Sequence, residues 1–257
     1  MSDIDTYMKY YEQSGVWQRQ VPSDLEWSRI VETVKMIPEG VKSIVDVGCG
    51  DGLLTNQLLG KYEKILGIDL SSEALRHVKT EKLQGGIDQL PLADQSFDLA
   101  VCAEVIEHLP CTVYERALLE LQRVAHKYLL ISVPNDEFLR DRFVRCPLCC
   151  CTYHRYRHVQ SFNLERLKNL LPYFEYVNHR YMGGLTVRPY RWDTLLRQNL
   201  GGHWNISDHC VCPQCGYTGT GPLKRGLISC TLSVLRKLLP CQRKPHWVAV
   251  LYKRKTD

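Results

Sequence analysis

Asp46-Val47-Gly48-Cys49-Gly50-Asp51-Gly52 is the stretch of this 257-residue chain best suited to hold a charged small molecule. It closes an apolar run, Val41 to Val47, and opens an amphipathic one. Glycines at alternate positions let a strand-to-helix turn bring bare backbone against a ligand and adopt φ > 0. The charges select the ligand: carboxylates at Asp46 and Asp51 would repel a pyrophosphate and attract a cation. A further carboxylate, Asp69, ends the apolar run Lys64-Ile65-Leu66-Gly67-Ile68-Asp69. A doubly wound sheet places the acidic group that takes ribose hydroxyls about 20 residues after such a loop, which is where Asp69 falls. Ordinary strand-end carboxylates are the alternative for Asp46 and Asp69, and the glycines between them argue against it.

Cysteine supplies the second concentration of chemistry. Cys146-Pro147-Leu148-Cys149 and Cys212-Pro213-Gln214-Cys215-Gly216 are both Cys-Pro-x-Cys knuckles, tight turns that aim two thiolates at one point. In a reducing compartment such pairs read as zinc ligands rather than disulfides. Cys146, Cys149, Cys212 and Cys215 together make a closed tetrahedral Zn2+ site, structural because no position is left open. The gap of 62 residues between Cys149 and Cys212 exceeds finger spacing, so the fold must bring the knuckles together. Cys150, Cys151, Cys210, His154 and His209 are neighbours that could substitute as ligands. Redox dithiols and buried small apolar thiols are the competing readings, and neither accounts for two proline-containing knuckles. Cys49, Cys102, Cys111, Cys230 and Cys241 lack partners at ligand spacing and read as packing residues.

The elements that must position these groups are legible in the periodicity. Strands are expected near Ser43–Val47, Lys64–Ile68, Leu83–Ile87, Phe97–Cys102, Tyr128–Val133, Glu175–Arg180 and Trp247–Tyr252, alternating with helices. Trp27, Ile30, Val31, Val34 and Ile37 recur at helical spacing before the first strand, as do Val113, Ala117, Leu118, Leu121 and Val124 before the fifth. Asn163 suits an N-cap, with Glu165 in the first turn. The expected fold is α/β, a doubly wound, mostly parallel seven-stranded sheet with helices on both faces, plus a zinc-organised C-terminal insertion. Asp98, at a strand start, suits a structural carboxylate accepting backbone hydrogen bonds.

With these motifs in place, the chain resembles the class I S-adenosylmethionine-dependent methyltransferases, whose first motif is an acidic residue followed by Gly-x-Gly-x-Gly. Gly86-Ile87-Asp88-Gln89-Leu90, Ser96 to Cys102 and Ala103-Glu104-Val105-Ile106-Glu107-His108 resemble the later motifs in order. The resemblance implies S-adenosylmethionine as cofactor, held by Asp46, Gly48, Cys49, Gly50, Gly52, Asp69, Leu70, Asp88, Gln89, Leu90 and Glu104. Asp88 would lie by the adenine amino group, and Ala103 to His108 would border the transferable methyl; a solvated helix-start residue is the other reading of Glu107. A knuckle after the fifth strand followed by His158-Val159-Gln160-Ser161-Phe162 is similar to bacterial methyltransferases acting on surface glycans or secondary metabolites. The chain then divides into a helical lid (1–40), a cofactor-binding core (41–140) and an acceptor-side region that completes the sheet and carries the knuckles (141–257). Tyr7, Tyr10, Tyr11 and Trp17 would form the lid, or a packing arm.

Charge narrows the acceptor. Residues 1–139 carry 13 Lys and Arg against 22 Asp and Glu, while residues 140–257 carry 20 against 6. The basic half, with Arg140, Arg142, Arg145, Arg155, Arg157, Arg188 and Arg191, favours a small anionic acceptor, a sugar or glycan precursor; a basic surface that only aids solubility is the plain alternative. Methyl transfer from a sulfonium is an in-line displacement that rests on positioning. A base helps when the acceptor is a hydroxyl or nitrogen, with His108 and His158 as candidates and Asn135 as an orienting group; the resemblance favours His108, for which a core or helix-capping imidazole is the plain alternative. Three other functions are set beside it: a nucleic-acid methyltransferase, against which stands the lack of interleaved basic and aromatic residues, a protein-modifying enzyme, which no feature of the sequence supports, and an inactive zinc-organised binding module. No apolar run reaches the length of a membrane span, and the acidic start Met1-Ser2-Asp3-Ile4-Asp5 lacks the features of a secretory signal, so a cytoplasmic location is expected. The oligomeric state is left open.

Overall fold

The computed structural model describes residues 11, 12, 17, 22–201, 212–217 and 241–256. Helix α1 (Asp24–Val34) begins at a capping box: the Ser23 hydroxyl accepts from Glu26 N–H at 3.3 Å, and the Glu26 carboxylate accepts from Ser23 N–H at 3.0 Å. Two of the helix's otherwise unpaired N-terminal donors are thereby satisfied. Ile30 is the buried anchor of this helix, while Trp27 stays exposed, so its core-facing stripe is narrower than the spacing suggests.

Strands β1 (Ser43–Val47), β2 (Lys64–Asp69), β3 (Glu81–Gln84), β4 (Phe97–Ala103), β5 (Ala125–Pro134), β8 (Phe174–Arg188) and β9 (Gln242–Arg254) form one sheet in the order β3-β2-β1-β4-β5-β9-β8. The first five run parallel and β9 is antiparallel to β5. This is the mostly parallel seven-stranded sheet expected.

Side chains of successive residues in a strand point to opposite faces. Here Val45, Val47, Ile68, Ala100, Leu129 and Val250 face one core, and Ile44, Ile65, Leu99, Leu130 and Leu251 face the other. Helix α3 (Cys111–Val124) covers the first face with Val113, Ala117, Leu118, Leu121 and Val124; α1 with Ile30, joined by Leu54 and Leu58, covers the second. Two-sided burial is why the central strands are apolar throughout. Asp98 accepts from the Lys42 and Ser43 N–H groups and pairs with Lys127, which together hold it below the usual carboxylate range against the opposing effect of burial.

Some elements differ from expectation. The third strand spans Glu81–Gln84 instead of Leu83–Ile87 and is exposed along its length, as the edge strand of the sheet beside β2. After the glycine loop the chain makes only a 3-10 turn, Thr55–Leu58, not a helix. Thr55 donates to Asp46, and Asn56 bonds the His77 carbonyl and Lys79 N–H, so side-chain bonds to groups distant in the chain compete with helical ones. Helices α2 (Ser72–Leu75) and α4 (Leu164–Lys168) are short; Asn163 caps α4 by accepting from Arg166 N–H at 2.8 Å.

The chain forms two compact units. The first comprises Met1–Asp136, Phe162–Gly184 and Pro245–Asp257; the second comprises Glu137–Ser161 and Leu185–Lys244. The second holds the antiparallel pair β6 (Phe143–Arg145) and β7 (Thr152–His154) and helix α5 (Arg191–Gly201). Among the described residues no helix is long and apolar enough to cross a membrane.

Candidate active site

In the first unit, strand order reverses between β1 and β4, which makes the carboxyl ends of these strands the topological switch point. The glycine loop leaves β1 there. Gly48 and Cys49 N–H both donate to the Ile68 carbonyl, at 2.7 and 3.0 Å, which fastens the loop to the end of β2. Gly48 has φ +76°, and a Cβ there would stand 2.4 Å from Val105 Cγ2, so backbone and space both require glycine. Gly50, at φ +55°, presents bare backbone to Trp17, whose ring lies 3.0 Å from where a Cβ would be. Gly52 closes the turn by donating to the Cys49 carbonyl.

The carboxylates around this loop are not equivalent. Asp69 presents Oδ2 to Gly50 N–H at 2.8 Å and Oδ1 to Ser71 N–H at 2.9 Å. Burial raises its carboxyl despite these backbone donors. Asp46 is sequestered beneath the loop, 2% exposed, and accepts from Thr55 Oγ1 at 2.6 Å. Burial, reinforced by the charge of Asp69, lifts it to about 6. Cys49 contributes backbone to the loop, but its thiol packs 2.9 Å from where Gly67 would carry a Cβ, and burial pushes that thiol far up.

The remaining first-unit residues flank the same strand ends. Leu70 accepts from Gln84 Nε2. Asp88 pairs with Arg116 at 2.9 Å, Gln89 N–H turns to the Gly86 carbonyl, and Leu90 is buried with its N–H on Glu120 at 2.7 Å, so this segment is tied to α3. Glu104 sits just beyond β4 at φ +60°, in the left-handed region, a conformation that costs about 1–3 kcal/mol. Its Oε1 accepts from Ser132 Oγ at 2.9 Å, and its N–H bonds the Ser132 carbonyl. Glu107, Asp46 and Glu104 all push the buried Cys102 thiol further up after burial itself, which marks this end of β4 as an acidic neighbourhood.

His108 ends the 3-10 turn Ile106–His108, with Nδ1 3.3 Å from the Tyr11 hydroxyl and Nε2 4.0 Å from Glu107. Asn135 is buried at the end of β5, its N–H on the His246 carbonyl and its Nδ2 3.3 Å from the Pro245 carbonyl. From the N-terminal segment, Tyr11 receives Ser71 Oγ on its carbonyl and Glu12 receives Ser72 N–H and Oγ. Tyr7 and Tyr10 lie outside the described residues.

The second unit holds the knuckles. Cys146 Sγ is 3.6 Å from Cys215 Sγ, Cys149 Sγ is 3.5 Å from Cys212 Sγ, and all four lie within 4.8 Å of one another. A tetrahedral ion with ~2.3 Å metal–sulfur bonds spaces its sulfurs roughly 3.8 Å apart, so the quartet fits zinc. Both knuckles share one hydrogen-bond pattern. Cys146 N–H bonds the Cys151 carbonyl and Cys150 N–H the Cys146 carbonyl; Cys212 N–H bonds the Tyr217 carbonyl and Gly216 N–H the Cys212 carbonyl. The fifth residue of each turn is left-handed, Cys150 at +61° and Gly216 at +72°. Cys150 is exposed, and Cys151 directs its thiol at the Thr152 carbonyl. Cys210, His209 and Cys230 lie outside the described residues.

The second unit also holds a group whose acidic member the sequence reading passed over. His158 Nδ1 lies 2.5 Å from one carboxylate oxygen of Glu137, and His154 Nε2 lies 3.5 Å from the other. Burial works to raise Glu137, but the hydrogen bond to His158 and the nearness of His154 outweigh it and hold the carboxyl well below the usual range. The available signal was the second acid of Asp136-Glu137, three residues upstream of the arginine-rich segment, too weak without the fold. The second unit also carries Arg140 and Arg142 on the turn Leu139–Arg142, Arg145 on β6, Arg155 and Arg157 after β7, Arg188 at the end of β8 and Arg191 at the start of α5.

The strand order, with the glycine loop at its switch point, is the fold of the class I S-adenosylmethionine-dependent methyltransferases. Residues 45–128 match the family model for a methyltransferase domain. A ubiquinone biosynthesis O-methyltransferase of Ralstonia nicotianae is 33% identical over 99 residues, which take in 35% of this chain and 40% of the relative. The chain thus matches less than half the length of that relative. A possible histamine N-methyltransferase from Thermotoga maritima superposes with TM-score 0.52 at 19% identity, covering 98% of this chain and 96% of its own. Magnesium protoporphyrin IX methyltransferase from Synechocystis PCC 6803, solved with bound SAH, gives TM-score 0.54 at 12% identity, covering 98% and 100%. At these identities the two structures establish the fold alone.

Proposed function

We propose that the chain is an S-adenosylmethionine-dependent methyltransferase acting on oxygen or nitrogen of a small anionic acceptor of the sugar or glycan-precursor class. The carrying observation is the pairing of a bare-backbone loop with Asp69 at the switch point, over a neighbourhood in which Asp46, Glu104 and Glu107 all act on the Cys102 thiol. A cationic adenosyl donor suits that field and a pyrophosphate does not. In this reading Asp69 takes the ribose hydroxyls, and Gly48, Cys49, Gly50 and Gly52 face the donor through backbone. Leu70, Asp88, Gln89 and Leu90 frame the adenine. Glu104 and the buried Asp46 complement the ammonium and sulfonium charge. His108 and His158 are the candidate proton acceptors, and Asn135 supports the acceptor side through its hold on the Pro245–His246 backbone.

Cys146, Cys149, Cys212 and Cys215 would hold zinc as a structural ion. Their support is the sulfur spacing and the matched knuckle turns, and the ion's part is to fix the second unit, not to touch the reacting atoms. The arginines of that unit, and the charge of residues 140–257, support an anionic acceptor.

Calorimetry with S-adenosylmethionine, and with NAD+ as the phosphate-bearing control, tests the donor. Binding of the sulfonium compound alone is expected. Asp69→Ala should weaken it by one to two orders of magnitude, the equivalent of roughly 1.5–3 kcal/mol for hydrogen bonds to a charged group. Preference for NAD+, or an unchanged dissociation constant in the variant, would overturn the assignment. Labelled donor offered with anionic sugars, nucleotides and RNA then identifies the acceptor.

A further inference from the structure

We propose that Glu137 is a positioning residue that dedicates Nδ1–H of His158 to itself, so that proton exchange by His158 takes place at Nε2. The inference rests on the methyl-transfer reading above and names the atom that would receive the acceptor's proton. It also gives the segment from Glu137 to Phe162 a purpose beyond carrying a zinc knuckle.

The argument starts at His154, whose ring is 5% exposed. Its Nδ1 receives two backbone donors, Tyr156 N–H at 3.3 Å and His158 N–H at 3.0 Å. A nitrogen that accepts carries no proton, so in a neutral ring the hydrogen is on Nε2. Burial favours the neutral ring, against the opposing pull of Glu137. His154 Nε2 lies 3.5 Å from Glu137 Oε1 and makes no hydrogen bond to it. The other oxygen, Oε2, meets His158 Nδ1 at 2.5 Å, and because Glu137 is held ionised, the proton of that contact belongs to the imidazole.

The carboxylate is itself fixed. Ser161 Oγ donates to the Glu137 backbone carbonyl at 2.6 Å, and the His154 and His158 rings stack 4.5 Å apart at 23°. With Nδ1–H committed, Nε2 is the atom of His158 at which a proton can be taken up or released, the same division of labour by which a carboxylate orients a catalytic histidine.

The same three side chains could be taken for a two-histidine, one-carboxylate metal site, since their ligand atoms approach within 4.8 Å. The tautomer of His154 opposes this. A histidine that ligates through one ring nitrogen donates from the other, whereas His154 Nδ1 accepts from two backbone groups, and Nε2 would have to shed its hydrogen to leave an imidazolate.

The balanced step follows. As the acceptor oxygen forms its bond to the methyl carbon, the carbon–sulfur bond breaks and its electron pair stays on sulfur, which becomes a neutral thioether. The hydroxyl proton passes to Nε2 of His158. The resulting imidazolium lies against the Glu137 carboxylate, which keeps its charge throughout.

The test is long-range 1H–15N correlation on zinc-loaded full-length protein with 15N-labelled histidine, at mildly alkaline pH, with signals assigned by His154→Gln and His158→Gln. The expected spectrum shows His158 as Nδ1–H with bare Nε2, and His154 as Nε2–H with bare Nδ1. Glu137→Ala should move His158 toward the Nε2–H form that an unconstrained imidazole prefers in water. Glu137→Gln, whose amide oxygen still accepts, should retain Nδ1–H and controls for folding. His158 as Nε2–H in the wild type, or a His158 signal unmoved in Glu137→Ala, would overturn the proposal. So would stoichiometric Mn2+ broadening both rings in a Glu137-dependent way. The spectra need no methyl donor, so failure here is separable from failure of S-adenosylmethionine to bind in calorimetry.

Discussion

Asp46→Asn should make the protein more stable at neutral pH, although the loop above Asp46 is where the cofactor is proposed to sit. The carboxyl is 2% exposed and is lifted from its ordinary value near 3.8 to about 6, chiefly by burial. At ~1.36 kcal/mol per pKa unit, carrying it ionised costs about 3 kcal/mol. The sign follows from proton counting: between pH 3.8 and about 6 the folded state binds more protons than the unfolded one, so stability falls as pH rises through that window. Above it the whole cost is present, and below it both states are protonated and the cost vanishes.

Asparagine keeps an oxygen for the Thr55 hydroxyl and carries no charge. Urea unfolding of wild type and variant, zinc held constant, should therefore give a gap of up to about 3 kcal/mol in favour of Asp46→Asn above pH 7, closing toward zero near pH 4. The same substitution should weaken S-adenosylmethionine binding, since it removes a negative charge from beneath a cationic ligand. A stability gap that does not change with pH, or a variant less stable than wild type above pH 7, would refute the reasoning.

Other perturbations address the loop and the knuckles. Gly48→Ala should destabilise the first unit by several kcal/mol, because the new methyl meets Val105 at 2.4 Å and the backbone stays left-handed; Val105→Ala in the same chain should recover part of this in thermal melts, and no recovery would mean the clash is not the cause. Elemental analysis should find one zinc per chain, and Cys212→Ser should release it and loosen the second unit. Cys150→Gly, by contrast, should keep the metal and relieve a left-handed residue worth roughly 1–2 kcal/mol; zinc loss in that variant would make Cys150 a ligand.

Much of the sheet was legible because its signals are local. The apolar runs at Ser43–Val47 and Lys64–Asp69 read as strands buried on both faces, and Val113 to Val124 at helical spacing read as a covering helix. Where local signals were passed over or overruled, the reading erred. Ser23-x-x-Glu26 is a capping box visible in the sequence, yet α1 was placed by its apolar residues alone. The turn at Thr55–Leu58 was expected to open a helix, and the side-chain bonds of Thr55 and Asn56 to groups far along the chain prevented it. The pairing of β6 with β7 had no periodicity to announce it, each being three residues long.

The sequence by itself determined the loop, the strand that feeds it, the acidic residue at the end of the next strand and the two cysteine knuckles. These depend on residue type and short spacing, which the chain carries wherever it folds. Tertiary structure alone decided which carboxylates are buried and which accept backbone donors, so that Asp46 lies beneath the loop while Asp69 grips it. It also decided that knuckles separated by 62 residues bring their sulfurs within bonding distance of one ion, and that Glu137 lies between two histidines. Burial and the meeting of distant groups are properties of packed space, and no local pattern of residues encodes them.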